Sequence, residues 1–459
     1  MRLFARLLAM LAAVLLAAQP VAAQSILRDA ETEAFLDEIS APLIEAAGLQ
    51  PDNVDIILIN DPSINAFVAG GQAVYIHSGL IDAADTAEEV QGVIAHELGH
   101  ITGGHILRYG EGMASATKIT VLSLLAGLGA ALVGAGDAAM GIMMAGQQAA
   151  MGKFLSFSRT QESSADFAGA EYLSKAGISG QGSLDFFGKL LNQEYRYGYS
   201  QSDEAGFYRT HPLSGDRISA LRGVYEKDPA WQRPANARNQ ANFERVKAKL
   251  IGYISKPSAT LRDYPETDQT IPALYARAYA YHQNARVDLA LETADKLLAK
   301  DPDDPYFLEL KGQVLLESGR PRESLEPLRR ATDLTNSEPL IASLFGHALI
   351  ATEDKSNYEE AERVLRAAVG RDRRNPFAWY QLGVVYAARG DTARARLASA
   401  EQQVMNGEYG LAIRSAQAAE SGLDHGSPDW IRSQDIGMQA RALLERQCEM
   451  QRKRNCAPG

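Results

Sequence analysis

Three of the chain's eight histidines fall within ten positions, in the stretch "VIAHELGHITGGH" at residues 93–105. His96 and His100 are four residues apart. On a helix they project about 40° from one another, one turn apart, so both imidazoles can reach one ion. Glu97 stands beside them, placed to take a proton from an attacking water. Zinc suits such a site because it accepts imidazole nitrogen, keeps an open coordination position and acidifies water. His105 is the tempting third ligand, but it comes one residue too early for the HExxHxxGxxH pattern, and Ile106 holds that position. On a continuous helix His105 points about 180° from His96, which makes it a helix-end residue or an outer partner rather than a ligand.

Two histidines do not complete a catalytic zinc site, so another segment must supply a ligand. The candidate is "SFSRTQESSADFAGAEYL", whose periodicity is helical and in which Glu162 and Asp166 share a face. Taken alone, such a pair is usually a solvated face. With a vacancy to fill, Glu162 becomes the candidate third ligand. Asp166 becomes the residue that hydrogen-bonds a ligating histidine and fixes its tautomer.

The elements that must position these residues can be read in outline. "ETEAFLDEISAPLIEAAGL" has helical periodicity, while "VDIILIND" and "AVYIHSG" are short β-branched runs bounded by turn residues, hence strands. The strand "AVYIHSG" is a candidate edge for an extended peptide, and His77 at its end reads as structural. The helix carrying His96 starts near Asp85 or Thr86, with Glu88 and Glu89 in its first turn. Two uncharged or nearly uncharged segments, 119–136 and the run after Asp137, predict an apolar hairpin over about 117–152. It either stays with the protein and touches a bilayer, spans one twice, or is buried as core.

Farther along, the texture is purely helical and repeats. Prolines at 272, 305, 339 and 376 step by 33, 34 and 37 residues, and Gly312, Gly346 and Gly383 follow the last three by seven. Trp379, Leu382, Gly383, Tyr386 and Ala395 take the offsets of the tetratricopeptide pattern, with an insertion around "EDKSN". The glycines imply helices packed too closely for a side chain.

Composition narrows the setting. Arg2 and Arg6, the apolar "LLAMLAAVLLAA" and a cut after Ala23 have the layout of a secretory signal peptide, which points to a bacterial periplasm. The formal charge of −11 becomes −13 without those two arginines, and an acidic chain without a basic stripe is a poor nucleic-acid binder. Cys448 and Cys456 read as a disulfide closing a small C-terminal loop in an oxidising compartment. The expected divisions are a signal peptide (1–23), a metal-site domain (24–228), a linker and leading helix (229–271), repeats (272–447) and a tail (448–459).

HExxH followed by ExxxD in "ESSADFAG" resembles the Ste24/HtpX/Oma1-type zinc metallopeptidase family, and "NAFVAGGQAVYIHSGLI" is similar to the segment preceding that family's catalytic helix. The signal peptide and repeats narrow the resemblance to the periplasmic beta-barrel assembly-enhancing protease group, over about residues 30–225 for the peptidase and to about 447 for the repeats. The resemblance implies one zinc per chain held by His96, His100 and Glu162, with Glu97 as catalytic base and acid and Asp166 behind a ligand. The family also carries a segment like "YRTHPLSGDRISAL". There His211, fixed by Pro212 ahead of a helix containing Arg217, is a candidate fourth ligand that latches the enzyme, or a group that acts on substrate or transition state.

The expected fold is mostly α: an α+β peptidase domain with a small sheet and the HExxH helix, followed by an all-α tetratricopeptide-repeat superhelix. The expected function is a periplasmic zinc endopeptidase of outer-membrane protein quality control. It would degrade misfolded or stalled precursors, and its repeats would bind these substrates or their assembly machinery and assist assembly as a chaperone. Two rivals stand beside it. One is a non-enzymatic scaffold with a structural metal, against which Glu97 beside an open position argues. The other is a membrane-associated protease using the hairpin at 119–150.

Overall fold

The computed structural model describes residues 25–132, 136–197, 211 and 215–450. The expected signal peptide, Pro212 and Cys456 lie outside these. By contacts the chain divides into two compact units, one comprising Met1–Leu27 with Phe35–Phe243, the other Arg28–Ala34 with Glu244–Gly459.

In the first unit, β1 (Ser25–Leu27), β2 (Asp55–Asn60), β3 (Ala66–Ala69) and β4 (Ala73–His77) form one sheet in the order β1-β2-β4-β3. β2 and β4 run parallel, and the outer pairs are antiparallel. β4 is therefore interior, and Val74 and Ile76 are fully enclosed. The reading of "AVYIHSG" as an edge is corrected: the edge strands are β1 and the four-residue β3. His77 is held by Ser63 Oγ, 2.8 Å from its Nδ1, with Asp61 at 3.4 Å, as its structural reading anticipates.

Helix α1 (Ala30–Ala46) precedes the sheet, and α2 (Ser78–Ala83) follows it. Helix α3 (Ala87–Thr102) begins where Thr86 Oγ1 accepts the Glu89 backbone N–H at 3.2 Å, satisfying an otherwise orphaned donor. It stops at Gly103 and Gly104, the latter with φ +62°, a left-handed conformation that glycine adopts without a Cβ penalty.

Helices α4 (His105–Leu132) and α5 (Gly136–Ala176) form the expected hairpin. α5 continues without a break into the segment bearing Glu162 and Asp166. The hairpin is not core: Leu122, Leu125, Met140 and Met144 are each more than half exposed. No helix among the described residues is long and apolar enough to cross a membrane. Helices α6 (Gln181–Tyr197) and α7 (Gly215–Tyr225) complete this unit.

The second unit is a stack of helical hairpins. After α8 (Ala237–Ile254) and α9 (Pro257–Asp263) come the pairs α10 (Ile271–Gln283) and α11 (Val287–Lys300), α12 (Pro305–Glu317) and α13 (Pro321–Leu334), α14 (Pro339–Ala351) and α15 (Tyr358–Arg371), and α16 (Pro376–Ala388) and α17 (Thr392–Met405). α18 (Tyr409–Glu420) and α19 (Pro428–Met450) extend the stack. The repeated prolines all stand in the first turns of α10, α12, α14 and α16, where no backbone donor is lost. A Cβ at Gly312 or Gly346 would lie 2.4–2.5 Å from Leu328 or Leu365 of the paired helix, whereas at Gly383 it would meet Ala398 at an ordinary 3.5 Å. Close packing thus explains the first two glycines but not the third. The "EDKSN" insertion forms a short 3-10 turn at Lys355–Asn357, and Cys448 is disulfide-bonded.

Candidate metal centre

Two helices carry the site, and they touch backbone to backbone. A Cβ at Gly99 would stand 2.6 Å from the Ala165 carbonyl oxygen, and one at Gly169 would stand 3.0 Å from Ala95 and the His96 nitrogen. Glycine at 99 and 169 and alanine at 95 and 165 thus let α3 and α5 approach until His96 and His100 face Glu162.

The structure brings His96, His100, Glu162 and His211 together, one donor atom from each lying within 4.8 Å of the others. His96 Nε2 is 3.1 Å from His100 Nε2 and 3.3 Å from His211 Nδ1. Glu162 oxygens lie 3.1–3.2 Å from His211 Nδ1, 3.4 Å from His96 Nε2 and 3.5 Å from His100 Nε2. Donors about 2.0–2.1 Å from a tetrahedral zinc are about 3.3 Å from one another, so these residues fit one such ion. The donor set, three imidazoles and one carboxylate, is also one that zinc accepts.

Around the four donors stand three supporting residues. Asp166 Oδ1 lies 3.0 Å from His96 Nδ1. Arg217 pins that carboxylate with two hydrogen bonds of 2.7 and 2.8 Å and reaches Glu162 at 3.3 Å. His105 Nδ1 lies 2.9 Å from His100 Nδ1. The break at Gly103–Gly104 turns His105 back, where a continuous helix would have turned it away, and it lies outside the donor cluster. Gly103 makes room, since a Cβ there would be 2.3 Å from the His105 ring. Arg217 had no expected role at the site. Its signal was a single arginine six residues after His211, at the start of a helix.

The electrostatics of the cluster suit a cation. Burial disfavours the His96 imidazolium, but Asp166 and Glu162 outweigh it and push the pKa up to about 10. Burial together with His96 and His211 holds His100 far below the ordinary histidine value. Burial would raise Glu162, yet His211 and His96 hold its carboxyl well below the usual range. Asp166 is likewise held low, His96 and Arg217 outweighing its burial. Two buried carboxylates facing these imidazoles make the cluster a favourable place for a cation. Glu97 is different. It is fully buried, and neither carboxylate oxygen has a hydrogen-bond partner among the described residues. His211 Nε2 stands 3.5 Å away, and burial raises the Glu97 pKa against His211 and His96.

Comparison with known proteins agrees with this geometry. Residues 30–225 match the profile of peptidase family M48. Residues 351–404 match a tetratricopeptide repeat, and 283–368 match anaphase-promoting complex, cyclosome, subunit 3. The chain is 26% identical to the beta-barrel assembly-enhancing protease of Escherichia coli (strain K12) over 421 residues, which is 90% of this chain and 83% of that protein. It is 31% identical over 177 residues to the metalloprotease YcaL of the same strain, 38% of this chain and 61% of that one. Over 199 residues it is 29% identical to the mitochondrial metalloendopeptidase OMA1 of Saccharomyces cerevisiae (strain ATCC 204508 / S288c), 40% of this chain and 54% of that one. Residues 30–225 thus match peptidase family M48 and tetratricopeptide repeats follow them, and together with the named metalloprotease relatives this makes the chain a zinc metalloendopeptidase.

Proposed function

We propose that this chain is a zinc-dependent endopeptidase of the bacterial periplasm that removes misfolded or stalled outer-membrane proteins, with His96, His100 and Glu162 holding the metal. The observation that carries this reading is the convergence of those donors beside a buried Glu97 whose oxygens have no partner among the described residues. When bound there, zinc supplies Lewis-acid polarisation of the scissile carbonyl and acidifies the attacking water. Glu97 takes the proton from that water and passes it to the leaving amine. Burial raises its pKa by disfavouring the charged carboxylate, which favours its taking up a proton. Asp166, braced by Arg217, fixes the His96 ring, and His105 does the same for His100.

An extended substrate pairs with β3. This strand packs on α3, and among the described residues it has β4 as its only strand partner. The repeats bind protein segments, consistent with a protein substrate and with the name of the Escherichia coli relative. Export by the segment 1–23 would place the enzyme in the periplasm. The exposed apolar side chains of the α4–α5 hairpin favour peripheral contact with a bilayer surface.

His211 latches the resting enzyme in this reading, because its Nδ1 takes the fourth place in the donor cluster and its Nε2 faces Glu97. In the full mature chain, His211→Ala is expected to raise casein cleavage severalfold while zinc stays near one per chain. Unchanged or lowered cleavage would contradict the latch.

A further inference from the structure

The segment Arg28–Ala34 lies more than 200 residues from the repeats in sequence, yet it belongs to their unit. It is seated on the starts of successive first helices. Ala30 is packed in a cluster with Leu308, Ala331 and Ile341, and Tyr306 and Leu340 stand around it. Asp29 caps α1, its Oδ1 accepting the Thr32 backbone N–H at 2.8 Å, and its Oδ2 forms an ion pair with Lys249 Nζ at 2.5 Å. Glu31 is held by Arg245, by the Tyr275 hydroxyl at 2.6 Å and by Lys249 at 3.3 Å. Arg28 reaches Asp372 at 3.0 Å. Lys249 and Glu31 are 4% and 5% exposed.

This arrangement is that of a ligand in a receptor. In stacked helical repeats the first helices line a face that takes up peptides. Here that face offers an apolar seat for one small side chain, with two cations and a hydroxyl on one flank. Arg245 also keeps a repeat carboxylate, Asp304, at 2.6 and 2.9 Å. The two carboxylates within 4 Å of Lys249 Nζ among the described residues come from the segment, while Glu309 acts on Lys249 from the repeat side. A buried ammonium without such partners is costly, so a vacated face favours another acidic occupant.

We propose that this face is a binding site for acidic peptides that begin a helix with the pattern carboxylate, small residue, carboxylate, and that Arg28–Ala34 is its resident, self-supplied ligand. A peptide of that chemistry binds in trans by displacing the resident segment. The tethered segment acts at an effective concentration on the order of 1 mM. A peptide of about 10 μM intrinsic affinity therefore binds the unaltered chain about 100-fold more weakly than a chain whose resident segment is impaired.

The test uses a fluorescein-labelled peptide of sequence SILRDAETEAFLD, residues 25–37, with the full mature chain and its Asp29→Asn/Glu31→Gln variant. Anisotropy should give binding to the variant at least tenfold tighter than to the unaltered chain. Adding Lys249→Met to the variant, or placing Asn and Gln at the two carboxylate positions of the peptide, should abolish it. Equal affinity for both chains, no binding to the folded variant, or equal binding of the neutral peptide would overturn the proposal. Should the variant not fold, hydrogen exchange in the unaltered chain decides. Millimolar peptide should speed exchange of the chain's own Thr32 and Glu33 amides, and unchanged exchange would overturn it. Metal content and casein cleavage are read in parallel, so failure here is distinct from failure of the peptidase reading.

Discussion

Gly99→Ala asks whether the closeness of two helices builds the metal site. A Cβ at residue 99 would stand 2.6 Å from the Ala165 carbonyl oxygen and 2.8 Å from its Cα, where ordinary contact begins at 3.4 Å. The shortfall is about 0.8 Å against backbone, which cannot rotate away as a side chain end would. His96 and His100 move with α3, while Glu162 moves with α5. Overpacking of this kind costs about 1–3 kcal/mol in stability, and metal–ligand distances tolerate only about ±0.2 Å. Most of the displacement therefore falls on the site. The expected result is a zinc affinity about 10–100-fold weaker, the loss typical when the supports of a metal site are disturbed. Cleavage should fall in parallel at limiting zinc and recover in part at excess zinc. Competition against a chromophoric chelator measures the affinity, and circular dichroism verifies the fold. Gly152→Ala on α5 is the control, because beyond its own helix backbone and chain neighbours no heavy atom of the described residues lies within 4 Å of its added Cβ. A folded Gly99→Ala chain whose zinc affinity stays within twofold of the unaltered protein would refute the reasoning.

Two other perturbations probe the repeats and the hairpin. Glu309 Oε2 is enclosed without a hydrogen-bond partner, and burial pushes its carboxyl up to about 8, the charges of Asp29 and Glu338 adding to this against Lys249. The folded chain holds that proton after the unfolded chain has released it, so the stability Glu309 contributes is complete below about pH 4.5 and drains away as pH rises through about 8. Glu309→Gln should melt with the unaltered protein near pH 4 and progressively above it towards pH 9, and a melting difference constant across that range would exclude this account. Leu122, Leu125 and Leu128 are exposed on α4. Replacing all three by serine should reduce co-flotation with anionic lipid vesicles and leave casein cleavage intact, and undiminished flotation would remove the hairpin from membrane contact.

What could be read in the sequence was whatever is written in local spacing. His96, Glu97 and His100 lie within one turn of helix and announce themselves, and Thr86 marks where that helix begins. The prolines and Gly312 and Gly346 give the repeats, because each performs a local task in every hairpin. What could not be read depends on chain segments meeting. The strand β3 is four residues long, too short to display alternation, so the stronger pattern of β4 reads as the edge. His105 is the outer partner the sequence suggests, but the contact with His100 is made because Gly104 takes a positive φ and ends the helix, which helical angle alone does not foresee. Arg217 is an ordinary first-turn arginine until Asp166 is set opposite it. The small residues that admit α3 to α5 are glycines and alanines with no local signature of their purpose. Nothing in "RDAETEA" tells that it sits among repeats that begin more than 200 residues later.

The central claim is hydrolysis by Glu97 at a metal held by His96, His100 and Glu162. Bound zinc per chain, measured together with casein cleavage for the mature protein, Glu97→Gln and Glu162→Gln, tests it most directly. The account predicts close to one zinc in the mature protein and in Glu97→Gln, with cleavage lost in the latter, and both zinc and cleavage lost in Glu162→Gln. Cleavage surviving in Glu97→Gln, or no zinc in the folded mature protein, would contradict it.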